Sequence, residues 1–206
     1  HIDTYKPADM PMAYGANNHG SIVQIKDQWY IFYHRHTNGS WYSRQGCAEP
    51  ISIAEDGSIE QVEITSCGLN GGPLAGQGEY PAYLACHLFT DEPSMYVGGD
   101  AFPKVMQDGK DGDEEIGYVG NVQNSATIGF KYFDMKNVKK IRVTMRGYIS
   151  GNIEVRLTWD GDVLASLPIE FTNVWETYES EIEIPDGIHS LYFTFRGDGN
   201  GALKSF

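Results

Sequence analysis

The chain has few basic residues, few cysteines and no long apolar run, and each shortage narrows its chemistry. Only 15 of its 206 residues are Lys or Arg against 28 Asp and Glu, for a formal net charge of −13. Contacts to a phosphate backbone need clustered Lys and Arg, so this balance argues against nucleic acid as a partner. A neutral polysaccharide raises no such objection. No stretch approaches the roughly 20 consecutive apolar residues of a membrane-spanning helix, which argues against a membrane. No charged-then-apolar leader opens the sequence, as expected of a mature chain. The three cysteines (Cys47, Cys67 and Cys86) fit neither a disulfide framework nor the paired spacing of a zinc site. They read as buried free thiols, although Cys47 and Cys67 could meet across a hairpin if the protein is secreted.

What is plentiful points to strands and turns. The chain holds 24 Gly and 13 Tyr; Gly supplies positive φ at turns, and Tyr suits half-buried strands. No segment sustains helical periodicity. Residues 20–66 read as four short strands: Ser21 to Ile25, Trp29 to His34, Trp41 to Ala48 continued by Ile51 to Ile53, and Ile59 to Thr65. Turns at Lys26-Asp27-Gln28 and Glu55-Asp56-Gly57-Ser58 separate them. Four antiparallel strands in about 45 residues is the size of one propeller blade. A lone blade has open edges and nothing to bury its faces, so it should not be stable by itself.

Between Cys67 and Gly78 five glycines gather around Pro73, which reads as a flexible connector and a domain boundary. Beyond it, candidate strands run over Tyr80 to Leu88, Ala126 to Met135, Lys139 to Gly147, Asn152 to Thr158, Val163 to Ile169, Trp175 to Ile184 and His189 to Arg196. Ser150-Gly151-Asn152, Asp160-Gly161-Asp162 and Pro185-Asp186-Gly187 are the expected turns. This many strands over about 125 residues argues a β-sandwich. Lys104 to Glu115 reads as a polar loop. Its Asp108, Asp111 and Asp113 lack the terminal Glu of a calcium loop and read as solvated charge.

The run Asn17-Asn18-His19-Gly20-Ser21, the strand Trp29-Tyr30-Ile31-Phe32-Tyr33-His34 and the pair Ser43-Arg44 together resemble glycoside hydrolase family 43. The match spans about Asn17 to Gly68 and falls on the last blade of that family's five-bladed propeller. The resemblance implies an inverting enzyme that removes xylose or arabinofuranose from xylan, arabinoxylan or arabinan. Inversion needs an acid and a base on opposite sides of the sugar. The family carries them on earlier blades, so no catalytic residue is expected in this segment, and the upstream part of the propeller is an expected partner. Two supporting residues are implied: His19 near the propeller axis, touching a possible calcium through water, and Arg44 at the terminal sugar subsite. A planar five-donor fork there can hold sugar hydroxyls and orient a carboxylate. His34 and His36 stand at alternate strand positions and read as solvent-facing rather than as a metal pair.

Tyr80 to Phe206 resembles carbohydrate-binding module family 6, a jelly-roll-like β-sandwich. The likeness rests on Gly129-Phe130-Lys131-Tyr132-Phe133-Asp134, Gly151-Asn152-Ile153-Glu154-Val155-Arg156, Trp175-Glu176-Thr177-Tyr178 and the closing Leu203-Lys204-Ser205-Phe206. It implies a sugar platform of two aromatics and an Asn. Trp175 stands at one aromatic position, Thr127 at the other and Ala202 at the Asn. The family's calcium ligands fall on Tyr83 and Lys204, and a Lys cannot ligate calcium, so that site is expected to be lost. Trp175, Tyr178 and Trp159 are the candidate carbohydrate contacts.

The expectation is therefore an all-β chain. Residues 1–70 would be the C-terminal blade of a propeller, 71–79 a Gly-rich linker and 80–206 a carbohydrate-binding β-sandwich. It would belong to a secreted or periplasmic hydrolase of plant cell-wall polysaccharide. The rival readings are a non-catalytic glycan-binding module and a purely structural sandwich.

Overall fold

A computed structural model describes residues 19–38, 42, 44–91, 102–109 and 116–206. Trp41, Ser43, Asp111, Asp113 and the Asn17-Asn18 pair lie outside them. The elements are β1 (Ser21–Ile25), β2 (Gln28–Arg35), β3 (Gln45–Ile51), β4 (Leu74–Ala75), β5 (His87–Phe89), β6 (Lys104–Asp108), β7 (Ile116–Val122), β8 (Thr127–Met135), β9 (Lys140–Arg156), β10 (Ala165–Ile169), β11 (Thr172–Glu181) and β12 (Gly187–Ser205). Short 3-10 turns occupy Gly68–Asn70 and Ala82–Leu84. No helix among the described residues is long and apolar enough to cross a membrane.

The first sheet has the order β1-β2-β3. Lys26 and Asp27 close the first hairpin, with Lys26 at φ +55° and Ile25 opposite Gln28. β3 returns with Trp29 opposite Ile51 and Arg35 opposite Gln45. The fourth strand expected from Ile59 to Thr65 is absent; only an isolated bridge joins Ile53 to Ile59. That segment is drawn instead toward other partners. The Thr65 amide and hydroxyl donate to Glu49, and the Ser66 amide donates to the Lys131 carbonyl. β1 is exposed at every position.

The Gly-rich connector is ordered into the second sheet rather than free. Leu74 and Ala75 pair in parallel with Phe133 and Asp134 of β8, and the Gly76 amide donates to the Asp134 carbonyl at 3.0 Å. A Cβ on Gly76 would lie 2.5 Å from the Met135 Cα, so this glycine permits a close approach of backbones.

The second sheet runs β10-β9-β12-β7-β6, with β11 on β9, β8 on β12, and β4 and β5 on β8. β9 and β12 hold it together, pairing from Tyr192 opposite Arg156 to Ser205 opposite Thr144. β12 meets β8 with its first half and β7 with its second, while β9 meets β11 and then β10. The turn expected at Ser150-Gly151-Asn152 is therefore internal to β9. Lys104 to Glu115 is likewise not all loop, since β6 pairs with β7 across Lys104 opposite Gly120 and Asp108 opposite Ile116. The strand expected over Tyr80 to Leu88 reduces to the turn at Ala82–Leu84 and the short β5.

Alternation along β9 turns Ile141, Val143, Met145, Ile149, Ile153 and Val155 inward. They meet Phe130, Phe133, Phe193 and the C-terminal Phe206, whose ring lies 4.3 Å from that of Phe130. All three cysteines are free. Cys67 lies against β8, its thiol 3.6 Å from the Lys131 carbonyl, and does not reach Cys47.

Candidate functional site

In the first sheet the sequence places imidazoles on one strand face, and the fold adds a third. His34 and His36 are two residues apart on and just past β2, so they share a face. Their rings meet edge-on at 5.2 Å, and His19, just ahead of β1, meets His34 edge-on at 4.9 Å. His36 is held below its ordinary pKa first by burial, then by the charges of His34 and Arg44. The structure thus gathers His19, His34, His36 and Arg44, where His34 and His36 had read as merely solvent-facing. The Nε2 of His34 is buried with no hydrogen-bond partner among the described residues. Imidazoles beside a guanidinium offer donors and acceptors to sugar hydroxyls.

A calcium ion does not fit these residues alone. Imidazole is a poor ligand for a hard cation, and among the described residues no three His, Cys, Asp or Glu could hold a metal. Behind the cluster, Glu49 is buried, which raises its pKa. Its carboxyl is taken up by the Tyr33 hydroxyl and by the amide and hydroxyl of Thr65. That is the setting of a structural acid rather than of one open to substrate.

The second candidate lies on the outer face of the sandwich. Trp175 precedes the regular part of β11, beside a register shift between Thr172 and Glu176. Its ring meets Tyr118 of β7 edge-on at 5.5 Å. Arg146 of β9 lays its guanidinium 4.2 Å from the Trp175 ring centre and 5.2 Å from that of Tyr118. Its Nη2 donates to both Asp108 carboxylate oxygens at 3.0 and 2.9 Å. The ring beside Trp175 is therefore that of Tyr118, which is itself buried. Thr127 is buried, its hydroxyl 3.0 Å from that of Thr194. Ala202, opposite Arg146, is buried as well.

The other two sugar candidates are half-buried against the core. Tyr178 packs on it and donates its hydroxyl to the Glu170 carbonyl at 3.0 Å. Trp159 packs on it too, edge-on to Phe89 at 6.3 Å. At the positions of the family's calcium ligands, the Tyr83 ring packs where a side chain on Gly117 would stand. Lys204 supplies no lone pair for a cation, so these residues do not fit calcium either.

Residues 105–205 match the sequence model of the family 6 carbohydrate binding module. A xylosidase/arabinosidase of Thermoclostridium stercorarium is 59% identical over 212 aligned positions, covering 100% of this chain and 45% of the relative. The chain thus spans less than half of that relative's length. The crystal structure of a glycoside hydrolase family 43 arabinoxylan arabinofuranohydrolase from Bacillus subtilis, in complex with cellotetraose, matches 93% of this chain and 40% of its own. Its TM-score is 0.57 at 22% identity. A family 6 module from Clostridium stercorarium, in complex with cellobiose, matches 66% of this chain and 95% of its own, with a TM-score of 0.50 at 14% identity. At such identities these two structures speak to fold alone: a portion of a propeller followed by a β-sandwich.

Proposed function

We propose that this chain, whose residues 105–205 match the sequence model of the family 6 carbohydrate binding module, is the C-terminal part of a xylan- or arabinoxylan-degrading glycoside hydrolase. The observation that carries the reading is the 59% identity to a xylosidase/arabinosidase along the whole chain, blade and sandwich alike. In it the first sheet helps to complete a family 43 propeller. His19, His34 and Arg44 line the sugar end of that sheet and support a substrate whose acid and base stand on other blades. Removal of xylose or arabinofuranose proceeds with inversion, which needs room for a water between those two carboxyls. The polymeric substrate lies outside the cell, which fits a secreted or periplasmic enzyme.

The test is hydrolysis of aryl xyloside and aryl arabinofuranoside by the intact protein that carries this chain. Turnover of at least one is expected, and Arg44→Ala should lower kcat/KM about 100-fold, the worth of a charged hydrogen-bond donor at a reacting sugar. Turnover of neither substrate overturns the reading.

A second reading concerns the sandwich alone. Arg146 covers a face of Trp175 that a sugar would use, which favours a module that is structural at this cleft. An unchanged Trp fluorescence on titration with xylohexaose would support it.

A further inference from the structure

The sandwich carries a second pair of rings that the Trp175 cleft does not use. Tyr148 of β9 is 77% exposed and Phe171, in the turn between β10 and β11, is 55% exposed. Their centroids are 4.7 Å apart with an interplanar angle of 27°, a stacked pair on open surface. Of the nine Phe in the chain, Phe171 alone is exposed. Leaving two large rings in water sacrifices burial that the other aromatics obtain.

We infer that the stacked Tyr148–Phe171 pair is a carbohydrate-contact site for a neutral, β-linked pyranose polysaccharide. The inference rests on the reading of the protein as a polysaccharide-directed hydrolase. A pyranose ring presents apolar C–H groups on its faces and hydroxyls around its rim, so it needs an exposed ring with small polar groups beside it. Tyr148 has both. Asn200 stands directly opposite it on β12 and donates its Nδ2 to the Asn121 Oδ1 at 2.9 Å. That bond fixes the amide and leaves its carbonyl oxygen as an acceptor. Ser150 follows two residues on, exposed and on the same face of β9. Mutual stacking holds both rings before a ligand arrives, which lowers the entropy cost of fixing them.

Charge and area exclude other occupants. Arg146, two residues before Tyr148 on the same face, is committed to Asp108 and to the Tyr118 and Trp175 rings. A chain of net charge −13, with no uncommitted cation at this patch among the described residues, does not suit an anionic ligand. Two side chains also fall far short of the roughly 800 Å² per partner of a stable protein interface. Arg146 and Tyr148 further place the pair next to the Trp175 cleft, so a glycan chain lying along this face runs past both.

The experiment is isothermal titration of the intact protein with xylohexaose and with soluble arabinoxylan, repeated for Tyr148→Ala, Phe171→Ala, Tyr148→Phe and Trp175→Ala. Loss of either ring of the pair should weaken binding about tenfold, the worth of one stacked ring, while Tyr148→Phe stays close to the parent. Both rings are exposed, so unchanged melting temperatures should accompany the loss. If Tyr148→Ala and Phe171→Ala bind as the parent does, the inference is overturned and the hydrolase reading stands. If the parent binds neither glycan, the inference falls, and the hydrolysis assay alone decides the functional reading.

Discussion

His87 is only 3% exposed, with its Nδ1 2.9 Å from the Tyr192 hydroxyl and its Nε2 buried without a partner among the described residues. Burial, then the nearby charges of Lys131 and Arg35, push its pKa down to about 2 from 6.5. The unfolded chain takes up this proton as pH falls below 6.5, and the folded chain does not until about pH 2. Stability from neutral His87 is therefore whole above pH 6.5 and is lost on acidification, by about 1.4 kcal/mol per pH unit once the unfolded group titrates. Glu49 acts in the opposite sense, because its raised pKa lets the folded chain hold a proton longer as pH rises from 4.5. The comparison must therefore be between variant and parent. His87→Gln, which can still pair with Tyr192, should flatten the fall in unfolding free energy between pH 6 and 4. Parallel slopes in urea titrations across that range would refute the assignment. At this scale the sequence exposed Trp175 but not its neighbours. Tyr118 lies between Gly117 and Gly120, which hide the alternation of β7, and Arg146 reads as any solvated residue on a polar face. Tyr148 and Phe171 are 23 residues apart, and only the pairing of β9 with β10 and β11 brings them together.

β9 and β12 show why strand count was easier to read than strand extent. The alternation of Ile153-Glu154-Val155-Arg156 marks a strand correctly, and so do the runs on either side of Ser150-Gly151-Asn152. The glycine between them reads as a turn, because positive φ is the usual reason for glycine there. In the structure both long strands run on through their glycines, which take positive φ where the two backbones approach closely, and β9 and β12 each serve neighbours at both ends. β6 was missed for a related reason: Lys104 to Asp108 is strand by partner rather than by composition. Gly147 tests this account. It has φ +135°, and a Cβ there would lie 2.6 Å from both the Asn200 oxygen and the Gly201 Cα. Gly147→Ala should cost about 2–3 kcal/mol, combining an unfavourable φ with a backbone clash. A loss below about 0.5 kcal/mol in denaturant unfolding, the level of an ordinary surface change, would show that the close approach of β9 and β12 does not need glycine.

Across the whole molecule the two sheets are tied by polar contacts that neither sheet's pattern foretells. Arg35 is 4% exposed and donates Nη1 to the Ala85 carbonyl at 2.9 Å and Nη2 to the Cys86 carbonyl at 2.7 Å. Gln45 donates to the Tyr83 carbonyl at 2.7 Å, and the Val105 amide to the Thr37 carbonyl at 2.8 Å. Lys131, buried in β8, pairs with Glu63 at 2.7 Å. A short sheet with β1 exposed at every position has little core of its own, so these ties and the ordered connector supply what the blade lacks. The chain should consequently unfold as one cooperative unit rather than as a blade and a sandwich in turn. Arg35→Gln removes two charge-assisted bonds to buried carbonyls and should cost about 3 kcal/mol. Because the lost contacts lie between the sheets, the parent's single calorimetric peak should split, the first sheet melting at lower temperature and the sandwich near its original one. Two peaks in the parent would mean that the sheets were never coupled. One unshifted peak in the variant would mean that Arg35 is not what couples them.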